Sequence, residues 1–351
     1  MFTIILFVLF LLFLMSGPRL HAGMLPGGAY VTRERTCMIN GFFIWVVFIS
    51  HLSGYKVDVW AGDALALSLV RQLGQCCVAT FFFFSGFGIM TQLCRGGYCK
   101  RLIVNRLSFL LLSMVMAVSV FLLVQSFYGL GFPLSRILLS FIGWSSVGNS
   151  NWFIFVTLVS YILIAMSYIL FHKRGMQAVA WCATALFVGL VVALRLAGKE
   201  IHWYNTCLCV PAGMLFALWR EKVEELIQRS RIPAWCLGMV LIPVSLLMYH
   251  LLLRKAYLTN FPAVTFAFGV MLLFSSISLK RSPRFLCWSG GAGLFFLYIF
   301  QRIPMMIGAR AGWNADSPFF YQLFCVVATL VIAWCASRVF PWLMRFAIPS
   351  K

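Results

Sequence analysis

Few residues in this chain have both the chemistry and the setting to do work, and His51 comes first. It stands in Phe48-Ile49-Ser50-His51-Leu52, late in a long apolar run. An ionisable group inside an apolar span is costly and by default marks a pathway, a partner or a site. An imidazole, with an ordinary pKa of about 6.5, suits abstraction of a proton from a hydroxyl. The bland account is a histidine that hydrogen-bonds a neighbouring helix. A second group is Asn149, Asn151 and Trp152, with Lys199, Glu200, His202, Trp203, Tyr204 and Asn205, and then Gln301 and Arg302. Amides, carboxylates and aromatic rings of this kind grip sugars. Trp and Tyr at such positions also form the ordinary interfacial belt of membrane proteins. A third group is cationic: Arg95, Lys100, Arg101 and Arg106. Clustered cations suit phosphate or pyrophosphate, and they also enforce topology. Together the groups suggest a phosphate-bearing donor at one membrane face and a hydroxyl acceptor towards the other.

The elements that must position these residues are membrane helices. The 351 residues are 62% hydrophobic and only 10% charged, with a mean hydropathy of +0.95. Soluble domains run roughly 45–50% apolar and about 25% charged, so only a bilayer can solvate this much apolar surface. The composition predicts an all-α, polytopic integral membrane protein. Apolar runs read as about eleven spans, near 1–16, 37–55, 72–90, 107–128, 151–171, 178–197, 203–219, 233–253, 261–279, 287–308 and 319–340. Pro243 predicts a kink in the eighth. Polar stretches are too short for a separate globular domain.

Charge orients the spans. The net charge of +20 is scattered over short loops, with no basic block or RNA-binding aromatic motif, so it points to an anionic lipid surface and not to nucleic acid. The odd-numbered loops and the C-terminus hold about two-thirds of the 28 basic residues. They are expected in the cytoplasm, with the N-terminus outside, the C-terminus inside and the chain in the cell membrane. His51, Asn151, His202 and Gln301 then share one depth near the outer surface, while Arg95 to Arg106 lie inside. Met1–Ser16 has no basic flank before it, while Arg19, Arg33 and Arg35 follow it, which favours an anchor over a cleaved signal. The twelve cysteines sit mostly in apolar runs without CxxC or Cys/His spacing, so neither structural disulfides nor a metal is expected. Gly86 and Gly88 are expected to permit close helix approach. The interleaved charges of Glu221, Lys222, Glu224, Glu225, Arg229 and Arg231 read as a solvated helix end.

Four stretches resemble the acyltransferase family 3 membrane proteins, which O-acylate cell-surface glycans. They are Asn40-Gly41-Phe42 through Ser50-His51; Phe81-Phe82-Phe83-Phe84-Ser85-Gly86-Phe87-Gly88 with the basic run to Arg106; Ser150-Asn151-Trp152-Phe153; and His202-Trp203-Tyr204-Asn205 through Gly213-Met214, paired with Leu297-Tyr298 through Pro304-Met305. The likeness covers roughly 35–340. It implies a ten-helix acyltransferase core with Met1–Ser16 as an extra anchor. The expected layout is an anchor and cytoplasmic loop over 1–34, the acyltransferase domain over 35–341 and a cytoplasmic tail over 342–351. The resemblance implies His51 as catalytic base. Arg101 and Arg106, with Arg95 and Lys100 beside them, would hold acetyl-CoA or another acyl-CoA as a substrate, with no bound cofactor. Asn151, Trp152, His202, Trp203, Asn205, Gln301 and Arg302 would meet a glycan acceptor, and Asn40, Ser85 and Gly86 would be structural. One departure stands out: the family motif has arginine eleven residues before the histidine, where this chain has Asn40. Two other classes stay open on sequence grounds. A glycan flippase or transporter is one, although no acid lies mid-span as coupled carriers require. A non-enzymatic partner in polysaccharide assembly is the other.

Overall fold

A computed structural model describes residues 2–55 and 61–347. Met1 of the predicted anchor, Asp58 of the second loop and 348–351 of the predicted tail lie outside the described residues. The protein is a bundle of helices: α1 (Phe2–Met15), α2 (Arg33–Leu52), α3 (Ala61–Cys94), α4 (Tyr98–Arg101), α5 (Ser108–Phe127), α6 (Leu134–Phe141), α7 (Trp152–Phe171) and α8 (Met176–Leu196). They continue as α9 (Cys209–Arg229), α10 (Ala234–Leu251), α11 (Asn260–Ser275), α12 (Arg284–Ser289), α13 (Leu294–Phe300), α14 (Arg302–Arg310), α15 (Trp313–Asp316) and α16 (Pro318–Ala347). Among the described residues, eight helical stretches are long and apolar enough to cross a membrane: Arg33–Tyr55, Leu73–Cys94, Tyr98–Phe127, Trp152–Arg174, Met176–Leu196, Ala234–Leu251, Tyr257–Ser275 and Pro318–Leu343. Large apolar side chains such as Phe127, Leu196 and Leu251 face outward, as lipid solvation requires. This is a multi-pass membrane protein.

The other three predicted spans take different forms. The first is a helix of only 14 residues, α1. The seventh starts late, as α9 from Cys209, and its second half carries Arg220 to Glu225. The tenth, 287–308, is broken into α12, α13 and α14. Gly290, Gly291 and Gly293 interrupt it first. Pro304 then sits in the first turn of α14 and has no N–H to give the carbonyl of Phe300, so the second break falls at Gln301. Broken helices at membrane depth are tolerated where they line protein or a cavity. Pro243 lies inside α10.

Helices α2, α3, α9 and α11 form the centre, with α3 packed along α2, α9 and α11. Contact between α3 and α9 is set by glycine on both sides. A Cβ on Gly86 would lie 2.0 Å from the carbonyl oxygen of Val210, and one on Gly213 would lie 2.0 Å from that of Phe83. The two backbones therefore touch, as expected for Gly86. Gly88 has nothing within 4 Å and instead faces a cavity.

The segment before α2 is stitched to the turn after α11. β1 (Pro18–Leu20) pairs antiparallel with β2 (Ile277–Leu279), in the register Pro18 to Leu279 and Leu20 to Ile277. The amides of His21 and Leu25 donate to Ser276 and Ser275 at 2.7 and 2.8 Å. Arg35 donates to the Ile277 carbonyl at 2.6 Å. A short 3-10 stretch, Pro26–Val31, then leads into α2.

Candidate active site

Helix α2 connects two polar regions. Arg33, Asn40 and His51 are spaced by seven and eleven residues, so they fall on nearly one face of a 3.6-residue helix. At 1.5 Å per residue, Asn40 is about 10 Å and His51 about 27 Å along the axis from Arg33.

At the far end, His51 is only partly covered, yet its Nδ1 is buried without a partner in the protein. Its ring meets the edge of Tyr298, with centroids 5.8 Å apart. Tyr298 is fully buried on α13, and its hydroxyl lies beside that of Ser150 without forming a well-aligned bond. Arg302, the first residue of α14 after the Gln301 break, lies within electrostatic reach of His51, Tyr55, Tyr298 and His202. Its buried Nε has no hydrogen-bond partner. Gln301 donates to the Tyr298 carbonyl at 2.8 Å and leaves Oε1 unpaired. The amide nitrogen of Asn149 and the hydroxyl of Ser150 are buried and unpaired as well. Native proteins leave few buried polar atoms unsatisfied, and a cluster of them at one place requires an explanation. Groups poised for a substrate provide one. The helix break supplies it physically, because Pro304 ends α13 where Tyr298, Gln301 and Arg302 can all face α2.

The other predicted acceptor residues are placed as follows. Asn151 is occupied locally, its amide donating to the carbonyls of Gly143 and Ser145 at 2.7 and 2.6 Å. It pins the loop that presents Asn149 and Ser150. Trp152 meets His202 edge-on at 5.5 Å. Burial pushes the His202 imidazole below its ordinary pKa; Glu200, 3.4 Å away, opposes that and Arg302 adds to it. Trp203 packs on Phe155 and Trp144, and the Lys199 ammonium lies 3.8 Å from the centre of the Trp144 ring and 4.2 Å from that of Trp203. Asn205 donates to the Tyr249 hydroxyl at 2.5 Å and keeps an unpaired oxygen. Trp203 and Asn205 therefore build the wall behind Trp152 and His202.

At the near end lies a cavity of about 680 Å³. Arg33, Arg95, Arg106 and Arg220 line it, with Ser85, Thr36 and Gln92 among the polar groups, and among the described residues no carboxylate lines it. Arg106 stands over the Tyr98 ring at 6.0 Å and interacts with Tyr161. Lys100 and Arg101 are exposed on α4 and do not line the cavity. Asn40 keeps a buried, unpaired Oδ1 above the cavity on the α2 face. Between the regions Phe82, Phe153 and Tyr298 form a row of rings with centroids 5.0 and 4.8 Å apart.

Sequence reasoning did not single out Tyr298, Ser150, Arg33 or Arg220 for the site. Arg33 was detectable, since eighteen residues is five helical turns from His51. Arg220 was not, because its charged neighbours look like a solvated helix end.

A histidine on a membrane helix with unpaired polar groups around it, and a cation-lined cavity at the other end of that helix, form the candidate site. The acyltransferase domain model matches residues 39–338. The chain belongs to that acyltransferase family, acyltransferase 3, and is an acyltransferase. No curated protein and no solved structure matches it.

Proposed function

We propose that the protein O-acylates, most simply O-acetylates, a hydroxyl of a cell-surface or exported polysaccharide, with acyl-CoA as donor. One observation carries this reading: His51, with its unpaired Nδ1, shares a face of α2 with a carboxylate-free, four-arginine cavity. Arginine forks match phosphate geometry, so the cavity suits the nucleotide end of coenzyme A. The thioester arm would run along α2 past Asn40 towards His51, with the rings of Phe82 and Phe153 moving aside or flanking it.

In this mechanism His51 takes the proton of the acceptor hydroxyl as its oxygen attacks the thioester carbonyl. The carbonyl oxygen becomes an oxyanion, which the Tyr298 hydroxyl and the Arg302 guanidinium, both beside His51, would stabilise. Collapse breaks the carbon–sulfur bond, and the imidazolium returns the proton to the departing thiolate. Ester and free thiol are the products, with no net proton change. Gln301, Asn149, His202 and Trp152 would orient the sugar.

The positive-inside distribution supports a cytoplasmic cavity and an outward-facing His51, in the cell membrane. The test is mass spectrometry of surface glycans from cells carrying the wild type, His51→Ala or an empty vector. An acyl-sized increment with the wild type alone is expected. Unacylated glycan in all three, with the protein well expressed, would turn the reading towards transport or assembly.

A further inference from the structure

The cavity's fourth arginine comes from an unexpected place, and its surroundings give it a purpose. Arg220 is on α9, and the wall beside it includes Gly27, Gly28 and Val31. That wall precedes residue 39, where the family match begins. Tyr30, 2% exposed, donates its hydroxyl to Glu224 Oε1 at 2.7 Å. The same oxygen faces Arg220 Nε at 3.4 Å, one helical turn away. This engages the guanidinium along one edge. Its tip passes Gly28, where an added Cβ would lie 2.5 Å from Nη1. Gly28 also has φ +70°, which disfavours any side chain there. Burial and Glu224 both raise the Tyr30 pKa, so Tyr30 keeps its proton and remains the donor.

We infer that Arg220 binds a phosphate of the donor's nucleotide, and that Tyr30 and Glu224 are positioning residues that aim it. The inference rests on the acyl-CoA reading above. Arg33, Arg95 and Arg106 share the cavity with no lining carboxylate among the described residues and repel one another until an anion arrives, while Glu224 at 3.4 Å and Glu221 at 3.9 Å hold Arg220 from behind. Arg220 is held by carboxylates that do not line the cavity. The segment before α2 thereby becomes part of the donor site and more than an anchor.

The experiment uses the full-length protein in nanodiscs with two donors, acetyl-CoA and S-acetylpantetheine, which has the same thioester but no phosphate. Wild type should prefer acetyl-CoA. Arg220→Ala should raise KM for acetyl-CoA roughly tenfold, as loss of one charge-assisted contact predicts. Its kcat, and its kinetics with S-acetylpantetheine, should hardly change. Tyr30→Phe should give a smaller rise of the same kind, and Arg220→Lys should restore part of the loss. If Arg220→Ala does not fold, Tyr30→Phe and Arg220→Lys carry the same comparison. A parallel loss with both donors, or no change with either, would overturn the inference. A wild type that uses neither donor would instead overturn the acyl-CoA reading.

Discussion

The Tyr298 hydroxyl separates function from stability. It is fully buried, 5.8 Å ring to ring from His51, and lacks a well-aligned hydrogen bond in the protein. Tyr298→Phe removes one oxygen and keeps the ring that packs on Phe153 at 4.8 Å. A buried polar group without a partner costs about 1–3 kcal/mol, and the neighbouring Ser150 hydroxyl offsets part of that. The phenylalanine variant should therefore be as stable as the wild type or more so by about 1 kcal/mol, a rise of about 2 °C in Tm for a chain of this size. If the hydroxyl donates to the oxyanion, kcat should fall by about 10²-fold, as for loss of one preorganised donor. The paired assay is thermal unfolding in detergent and acyl transfer in nanodiscs. Full activity would remove Tyr298 from the chemistry. A Tm drop that tracks the activity loss would show that the hydroxyl serves packing.

Other consequences follow from the same geometry. Arg302→Lys keeps the charge but loses the planar fork, and should lower kcat more than it raises KM for the donor; equal effects on both would refute a role at the reacting carbonyl. Gly86→Leu drives a side chain into the Val210 carbonyl and should abolish membrane accumulation of folded protein, measured by fluorescence-detected size exclusion. Asn151→Ala frees two loop carbonyls and should destabilise by about 1–3 kcal/mol, read from detergent melts, with activity lost in proportion. His202 has a folded pKa below its unfolded value, so the folded state binds fewer protons. Stability should then hold above about pH 6.5 and fall as pH drops below it, and His202→Gln should flatten that slope.

The sequence made the periodic and local features visible. Apolar runs marked the long spans, and Gly86 announced the α3–α9 contact. His51 stood out because an imidazole in an apolar run is rare. The broken span from 287 to 308 was hidden because its residues are apolar throughout. Hydropathy does not register that Pro304 removes a donor from the Phe300 carbonyl. The cavity was hidden for another reason: Arg33, Arg95, Arg106 and Arg220 are spread over almost two hundred residues, and only the tertiary packing brings them together. Lys100 and Arg101 look equivalent to Arg95 and Arg106 in the sequence, yet the turn of α4 sends them outward. Asn151 also looked like a substrate ligand, although its amide is committed to the loop backbone.

The central claim is that His51 moves the proton in acyl transfer from a CoA thioester. Its most direct measurement is free-thiol release from acetyl-CoA by the purified full-length protein in nanodiscs, with and without a polysaccharide acceptor, for wild type and His51→Gln. Acceptor-dependent thiol release by the wild type, reduced about 10²- to 10⁴-fold in His51→Gln with donor binding retained, is the predicted result. A His51→Gln protein that releases thiol at the wild-type rate would contradict it.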